Sequence, residues 1–449
     1  MNRPGADFMD AEVVPRLALL VGMLAWAFSP FHFLLLYAVL LLARPHEFVA
    51  GLQGIPLMPA AMGGALLAWL LAREKDFGSP SPLLLLFLVL AMAFSRVAMG
   101  WLGGIPDVLT AFLPAAVLFL LVATAVTTLT RQRVFLTLLF GASVYMAVHG
   151  IQQDIAGAGW TGETTIHGRI RYLGFFNDPN DLGMFFVLTL PLAFFLWSDV
   201  ANRLFRLALA AGLAVVFYGI YLTGSRGTLL ATVAVLGVYF ARRYGWGLAG
   251  FLGMLFLPLM MVLLPQRFTD LDPGESSAHG RVEAWYNGLQ LFQGNPLTGV
   301  GWGRFTDFVD LTAHNSLVLV LAETGLVGLT FWLAFFVSVI WGLIQVVRHW
   351  GMHGDPESDP DGERWRNLAR ALLIAWVGIA VTTFFLSRSY NIMLYLMAAI
   401  SVAVFLGYRR GRNLEPIGVT RILELSAVGA LCLAAFFFVV VKVLLRGAG

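Results

Sequence analysis

The chain has 449 residues and a formal net charge of +3; 59% of its residues are hydrophobic and only 12% are charged. A soluble domain carries roughly a quarter charged residues, so most of this chain must face lipid or other apolar helices. One cysteine, Cys432, lies in an apolar run and excludes both an intramolecular disulfide and a cysteine metal cluster; the histidines form no HExxH motif. No metal, no other cofactor and no nucleic-acid partner are therefore expected.

The elements follow in chain order. Residues 1–16 mix Asp7, Asp10 and Glu12 with Arg3 and Arg16, which does not read as a cleavable signal. Stretch 17–43 is interrupted at Ser29–Pro30 and reads as one kinked span or two half-helices. A membrane-crossing helix needs about 20 mostly apolar residues. Such stretches run near 55–72, 82–99, 107–129, 134–151, 180–197, 205–223, 227–240, 247–264, 325–346, 367–387, 391–408 and 423–445. A short apolar helix at about 313–323 leads into the 325–346 span. The pattern predicts an all-α, polytopic integral membrane helix bundle of 12–14 spans, a single integral domain over 1–449.

Lys and Arg set the orientation. With loop 265–311 outside, 18 fall on the cytoplasmic side and 10 outside, and Arg96 lies within a span. Loops 152–178 and 265–311 are then periplasmic, and segment 347–366, with its HGDPESDPDGE run, is an acidic solvated cytoplasmic linker. The chain is expected to be a multi-pass membrane protein, with the outer arginines as exceptions that ask for a reason.

Three spans begin on the outside. Asn177 or Asp178 can cap the first, with Pro179 as its first helical residue; Ser225 can cap the second and Thr312 the third. Each start offers unpaired N–H groups and the positive end of a helix dipole, and each carries Arg171, Arg226 or His314. Together they suggest a diphosphate site; singly, each arginine can equally hold lipid headgroups or loop carbonyls. Arg226 stands out because it sits in a turn of about three residues between two long apolar spans. In RVEAWYNGLQLFQ, Arg281, Trp285, Leu289 and Phe292 share one helical face. This helix is expected on the outer membrane surface, with Trp285 either an interface aromatic or a sugar-stacking ring. Asn295 to Phe305 forms a glycine-rich hairpin or loop. His314 beside Asn315 is either a cap or a general base near neutral pH. Glu323, nine residues on, reaches the same cavity only if the helix breaks at Thr324–Gly325.

These motifs are familiar as a set. HNSLVLVLAETGLVGL (His314 to Leu329), R-x-x-G-x-x-x-x-P-N (Arg171 to Asn180), the Ser225–Gly227 turn, and R-x-x-x-W followed by N-P-L-x-G-x-G (Arg281 to Gly301) resemble, in that order, the O-antigen ligase and polymerase superfamily. The resemblance covers roughly residues 165–345. It implies a metal-independent, inverting glycosyltransferase that takes a glycan from undecaprenyl diphosphate at the periplasmic face. The acceptor is lipid A-core in ligases, a lipid-linked repeat unit in polymerases and a protein side chain in other relatives. It further implies His314 as the base, Arg171 and Arg226 as diphosphate binders, and a contribution from Arg281, with Asn180, Ser225, Trp285 and Asn315 as substrate contacts.

A polymerase with the same site is the nearest alternative. A lipid-glycan or solute transporter would place polar groups near the bilayer midplane and show internal repeats, whereas here the polar motifs cluster at one face. A purely structural scaffold leaves the outer arginines unexplained.

Overall fold

The computed structural model describes residues 29–72, 75–248, 250–251, 253–254 and 278–446. The expected chain start, most of the 247–264 span and the first part of loop 265–311 lie outside the described residues.

Long apolar runs become helices because helix formation pairs every interior backbone group, which an apolar environment demands. They are α1 (Pro30–Ala43), α2 (Leu57–Leu71), α3 (Ser81–Ala98), α4 (Gly104–Ala125), α5 (Leu129–Ala156), α6 (Pro179–Asp199) and α7 (Arg203–Leu222). They continue as α8 (Arg226–Tyr244), α9 (Ala278–Gly294), α10 (Ser316–His353), α11 (Pro360–Phe385), α12 (Ile392–Arg409) and α13 (Val419–Arg446). No strand occurs among the described residues, and one isolated bridge pairs Ile166 with Arg169. The all-α polytopic expectation is borne out: nine described helices are long and apolar enough to cross a membrane. Helices α1 and α2 are apolar but shorter, and α8 carries Arg226, Arg242 and Arg243 in its 19 residues.

The helix ends are set by short polar side chains. Thr128 accepts from Arg131 N–H, Asp178 from Asn180 N–H, Asn202 from Phe205 N–H, Asp359 from Gly362 N–H and Asn391 from Met393 N–H. Pro179 and Pro360 add first-turn prolines, which lose no hydrogen bond there. The acidic connection expected over 347–366 is mostly helix: α10 runs to His353 and α11 starts at Pro360.

The chain forms two compact units, 1–76 with 120–225 and 77–119 with 226–449. In the first, α6 is the central helix, with Leu182, Phe186, Leu190 and Leu196 all inaccessible. In the second, α12 is the most enclosed span and α13 the least, at 89% and 17% buried. Polar pairs such as Ser81 Oγ with Ser338 Oγ at 2.8 Å, and Trp376 Nε1 donating to Ser401 Oγ at 3.0 Å, cross its interior.

The two helices expected at 313–323 and 325–346 are one 38-residue helix, α10, interrupted at Gly325 (φ 62°, ψ −162°). This backbone conformation is open only to glycine. Segment 296–301 lies against the interruption and pairs with both sides of it. Val300 N–H donates to Ala322 O and Gly301 N–H to Glu323 O, each at 2.9 Å. Leu326 N–H donates to Pro296 O at 2.9 Å and Val327 N–H to Leu297 O at 3.2 Å. The two backbones approach so closely that a Cβ on Gly325 would stand 2.4 Å from Leu297 C, and one on Gly299 2.3 Å from Glu323 C.

Gly325→Ala should therefore destabilise the protein by about 2–4 kcal/mol, combining backbone strain with overpacking. Gly237→Ala, at an α8 position with open space around it, should be neutral or slightly stabilising. Thermal unfolding of the two purified variants checks this; equal midpoints would remove the interruption from the stability argument.

Candidate functional site

In the first unit, the ends of α5 and α7 and the start of α6 meet under loop 157–178. Gln153 and His149, one helical turn apart on α5, are both fully buried. Gln153 Oε1 accepts from Arg171 N–H at 2.9 Å, and its Nε2 donates to Glu163 O at 3.0 Å. His149 Nε2 lies 2.6 Å from Glu163 Oε1, between the rings of Trp160 and Tyr172. Burial alone raises the Glu163 carboxyl, but the Thr161 hydroxyl, the turn's N–H groups and His149 outweigh it and hold the group below its ordinary 4.5. Tyr172 Oη donates to Ala43 O at 2.5 Å, and burial pushes its hydroxyl up.

This framework presents Arg171. Its Nε donates to Thr164 O at 2.7 Å and its Nη1 to Asn177 Oδ1 at 3.0 Å. Both acceptors are neutral, so no carboxylate compensates the guanidinium. By contrast, Arg44 and Arg304, also expected outside, are spent on ion pairs with Glu47 and Asp307. Gly174, the glycine of the R-x-x-G motif, has φ 63°, and a Cβ there would strike the Arg44 guanidinium.

Arg169 was not singled out from sequence. Its Nε donates to Thr223 O at 2.8 Å and its Nη2 to Asn180 Oδ1 at 2.7 Å. It ties the loop to the 223–225 turn and to the first turn of α6, so Asn180 serves as a partner of Arg169. Asp178 and Pro179 start α6 as expected, and the buried Ser225 occupies the N-cap position of α8.

In the second unit, the cap of α10 is Asn315; Thr312, the residue expected from sequence, stands outside the helix. Asn315 Oδ1 accepts from Leu317 N–H at 2.9 Å and Val318 N–H at 3.1 Å, and Nδ2 donates to Phe384 O at 3.0 Å. Asn315 is fully buried with both ends of its amide engaged, so its expected substrate contact gives way to a capping role. His314 precedes it, half-buried, with a left-handed backbone (φ 46°). Such a conformation is uncommon outside glycine and points to a constrained position. Ser316 Oγ donates to Leu386 O at 2.6 Å and accepts from Arg388 N–H at 2.9 Å.

Phe384 and Phe385, the last residues of α11, are where the motifs converge. Asn315 bonds the Phe384 carbonyl, a Cβ on Gly227 would lie 3.4 Å from Phe385 Cβ, and the Trp285 ring is 5.7 Å from that of Phe384. The starts of α8 and α10 and the middle of α9 thus abut one helix end. Arg226, the exposed first residue of α8, and His314 are carried to this same end. Trp285 also meets Phe437 at 5.7 Å and is only 8% exposed. Its apolar packing anchors α9, which leaves little of the ring for a sugar. Arg281 is half-buried on the first turns of α9. Arg388 was missed, although Ser387–Arg388 repeats the Ser–Arg pair of the 225–226 turn.

The helix does break at Gly325, the condition set for Glu323. Glu323 nevertheless turns to the 301–305 segment: it is buried, and its Oε1 accepts from Phe305 N–H at 3.2 Å. The expectation that the histidines form no H-x-x-x-H pair is wrong: His349 and His353 are one. His349 Nδ1 is 2.8 Å from Tyr408 Oη, and no three metal-ligating side chains gather among the described residues.

Residues 210–333 match the O-antigen ligase family. The match bears out the resemblance to that superfamily. It takes in the Ser225–Gly227 turn, α8, Arg281, the 295–301 segment, the His314–Asn315 cap and the Gly325 break; the Arg171 loop lies outside it. No curated protein matches the chain.

The depressed Glu163 carboxyl fixes the sign of a pH effect. A group whose folded value lies below its unfolded one contributes stability above the unfolded value, lost as pH falls through the folded value. Hydrogen-exchange protection of residues 159–172 should hold at neutral pH and fall away below about pH 4.5. Glu163→Gln should show weaker protection that varies less over that range. Unchanged protection in the parent protein down to pH 3 would mean that Glu163 does not hold the loop.

Proposed function

We propose that this chain is a membrane glycosyltransferase of the O-antigen ligase type. It moves a glycan from undecaprenyl diphosphate to an acceptor hydroxyl at the periplasmic face of the bacterial inner membrane. The observation that carries the reading is the family match over 210–333, which encloses Arg226, Arg281 and His314. The packing of the α8 and α10 starts on Phe384–Phe385 supports it.

In this reading the acceptor oxygen attacks the anomeric carbon as the bond to the diphosphate breaks, and the electron pair leaves with the diphosphate. Attack opposite the leaving group inverts the anomeric centre. Charge grows on the leaving oxygen, where cations and N–H donors count most. Arg226 and the first N–H groups of α8 answer that charge. The resemblance also assigns Arg171, held by neutral acceptors, to the diphosphate, and Arg281 is a further cation of the matched segment. His314 takes the acceptor proton, and the Asn315 cap fixes the backbone from which it projects. No step calls on a metal ion.

Three predictions test this. His314→Ala should leave donor binding nearly intact and slow single-turnover transfer by roughly 10²–10⁴. His314→Gly suits the left-handed backbone and should be equally slow, which separates the imidazole from backbone strain. Arg226→Ala should weaken donor binding and lower turnover together, with only partial rescue by Arg226→Lys, since a point charge does not replace a planar fork. Transfer by His314→Gly at the parent rate would make His314 a turn residue. The second measurement is transfer in reconstituted vesicles after EDTA treatment, with lipid A-core, lipid-linked repeat units and proteins offered as competing acceptors. Activity should persist; loss restored by Mg²⁺ or Mn²⁺ would sink the metal-free mechanism.

A further inference from the structure

Between the exposed side of α9 and the last turns of α13 runs a groove of about 390 Å³. Its floor is apolar: Leu289 and Val441 are 3% and 2% exposed. Phe438 forms one wall, with the Lys442 ammonium 6.0 Å over its ring. The opposite rim carries the Tyr286 hydroxyl and the amides of Gln290 and Gln293. None of these three side chains bonds to a described protein group, and no carboxylate lines the groove among the described residues. The site is thus an apolar floor edged by hydrogen-bond donors and one cation, on the least enclosed of the long apolar helices.

We propose that this groove binds an anionic phospholipid. One acyl chain lies along Leu289 and Val441, and the phosphodiester sits between Lys442 and the Gln290–Gln293 amides. The chemistry narrows the ligand in three steps. An apolar floor on a lipid-facing helix selects an amphiphile, but in a bilayer it gains little from the chain itself, because lipid tails are as apolar as leucine. Selection then falls to the rim, where an ammonium and neutral donors favour a head that is anionic and rich in acceptors. A single cation among the described lining residues suits one phosphodiester charge; a diphosphate would call for more. Lys442, near the end of α13, is placed to reach an interfacial headgroup with its stem along the apolar wall. The proposal does not depend on the glycosyltransferase reading.

The test is native mass spectrometry of the purified full chain titrated with phosphatidylglycerol or phosphatidylcholine of equal chain length. Phosphatidylglycerol should bind about fivefold more tightly, the worth of one lysine near an anionic head. Lys442→Gln should abolish that preference while the thermal midpoint in detergent stays unchanged. Gln290→Glu, which adds a carboxylate at an exposed rim position, should turn the preference toward phosphatidylcholine. Equal binding of the two lipids by the parent chain would overturn the proposal, as would a preference that survives both substitutions. Displacement of phosphatidylglycerol by undecaprenyl diphosphate at lower concentration would reassign the groove to a lipid-linked substrate. A comparable effect of inorganic phosphate alone would reduce the site to an anion contact. Dimers that exclude lipid would make a second copy the occupant.

Discussion

A backbone group that leaves its helical partner inside an apolar bundle must find another, at a cost of several kcal/mol if it fails. The interruption of α10 at Gly325 creates that debt, and segment 296–301 discharges it from both sides. The composition of the N-P-L-T-G-V-G run follows from this duty. Pro296 has no N–H to leave stranded and offers its carbonyl to Leu326. Gly299 has no Cβ to hold the backbones apart. Four hydrogen bonds fix the break, so the first segment of α10, 316–324, is held at the break as well as at its capped start. The glycine-rich motif is therefore a structural insert that holds the segment of α10 following His314.

The same logic recurs in smaller form at the polar end of each unit. Gln153 and Asn315 are both fully buried amides, and each joins two chain segments with a donor at one end and an acceptor at the other. A carboxylate or an ammonium offers only one kind of bond and would bring a buried charge needing compensation. An amide brings none, so it can lock a loop beside arginines without neutralising them. Gln153 holds the segment bearing Arg171, and Asn315 holds the turn bearing His314.

Periodicity and length made the helices legible, and the α6 start was read well at Asp178–Pro179, whereas the Asp359–Pro360 start of α11 was hidden in an acidic run read as a linker. The α10 start was misplaced because Thr312 and Asn315 are both good caps. What decides between them is the left-handed turn at His314 and the carbonyl of Phe384, neither visible in a linear pattern. The family motifs pointed to Arg226 and His314, but the residues that bring them to one end, Phe384 and Phe385, belong to a helix with no motif. Trp285 shows the limit of a helical face: periodicity put it on the apolar side correctly. Whether that side meets lipid, sugar or protein depended on α11 and α13, far away in sequence. Arg169 was hidden for a different reason. It stands two residues from a motif arginine, and only the fold of loop 157–178 sends the two guanidiniums to different partners.

The arginines expected on the outside from charge counting separate physically by what they touch. An arginine paired with a carboxylate presents almost no net field to a ligand, and binding an anion there requires breaking or sharing the pair. Arg44 and Arg304 are of this kind. An arginine oriented by a carbonyl and an amide oxygen is immobilised, so the entropy of fixing it is already spent, yet it keeps its full charge. Arg171 is of this second kind. For a reaction whose leaving group gains charge as its bond breaks, a fixed and uncompensated cation is worth more than a mobile or neutralised one, because nothing has to reorganise in the transition state. The neutral bonds to Thr164 and Asn177 are therefore what distinguishes Arg171 from Arg44 and Arg304, whose guanidiniums are paired with carboxylates.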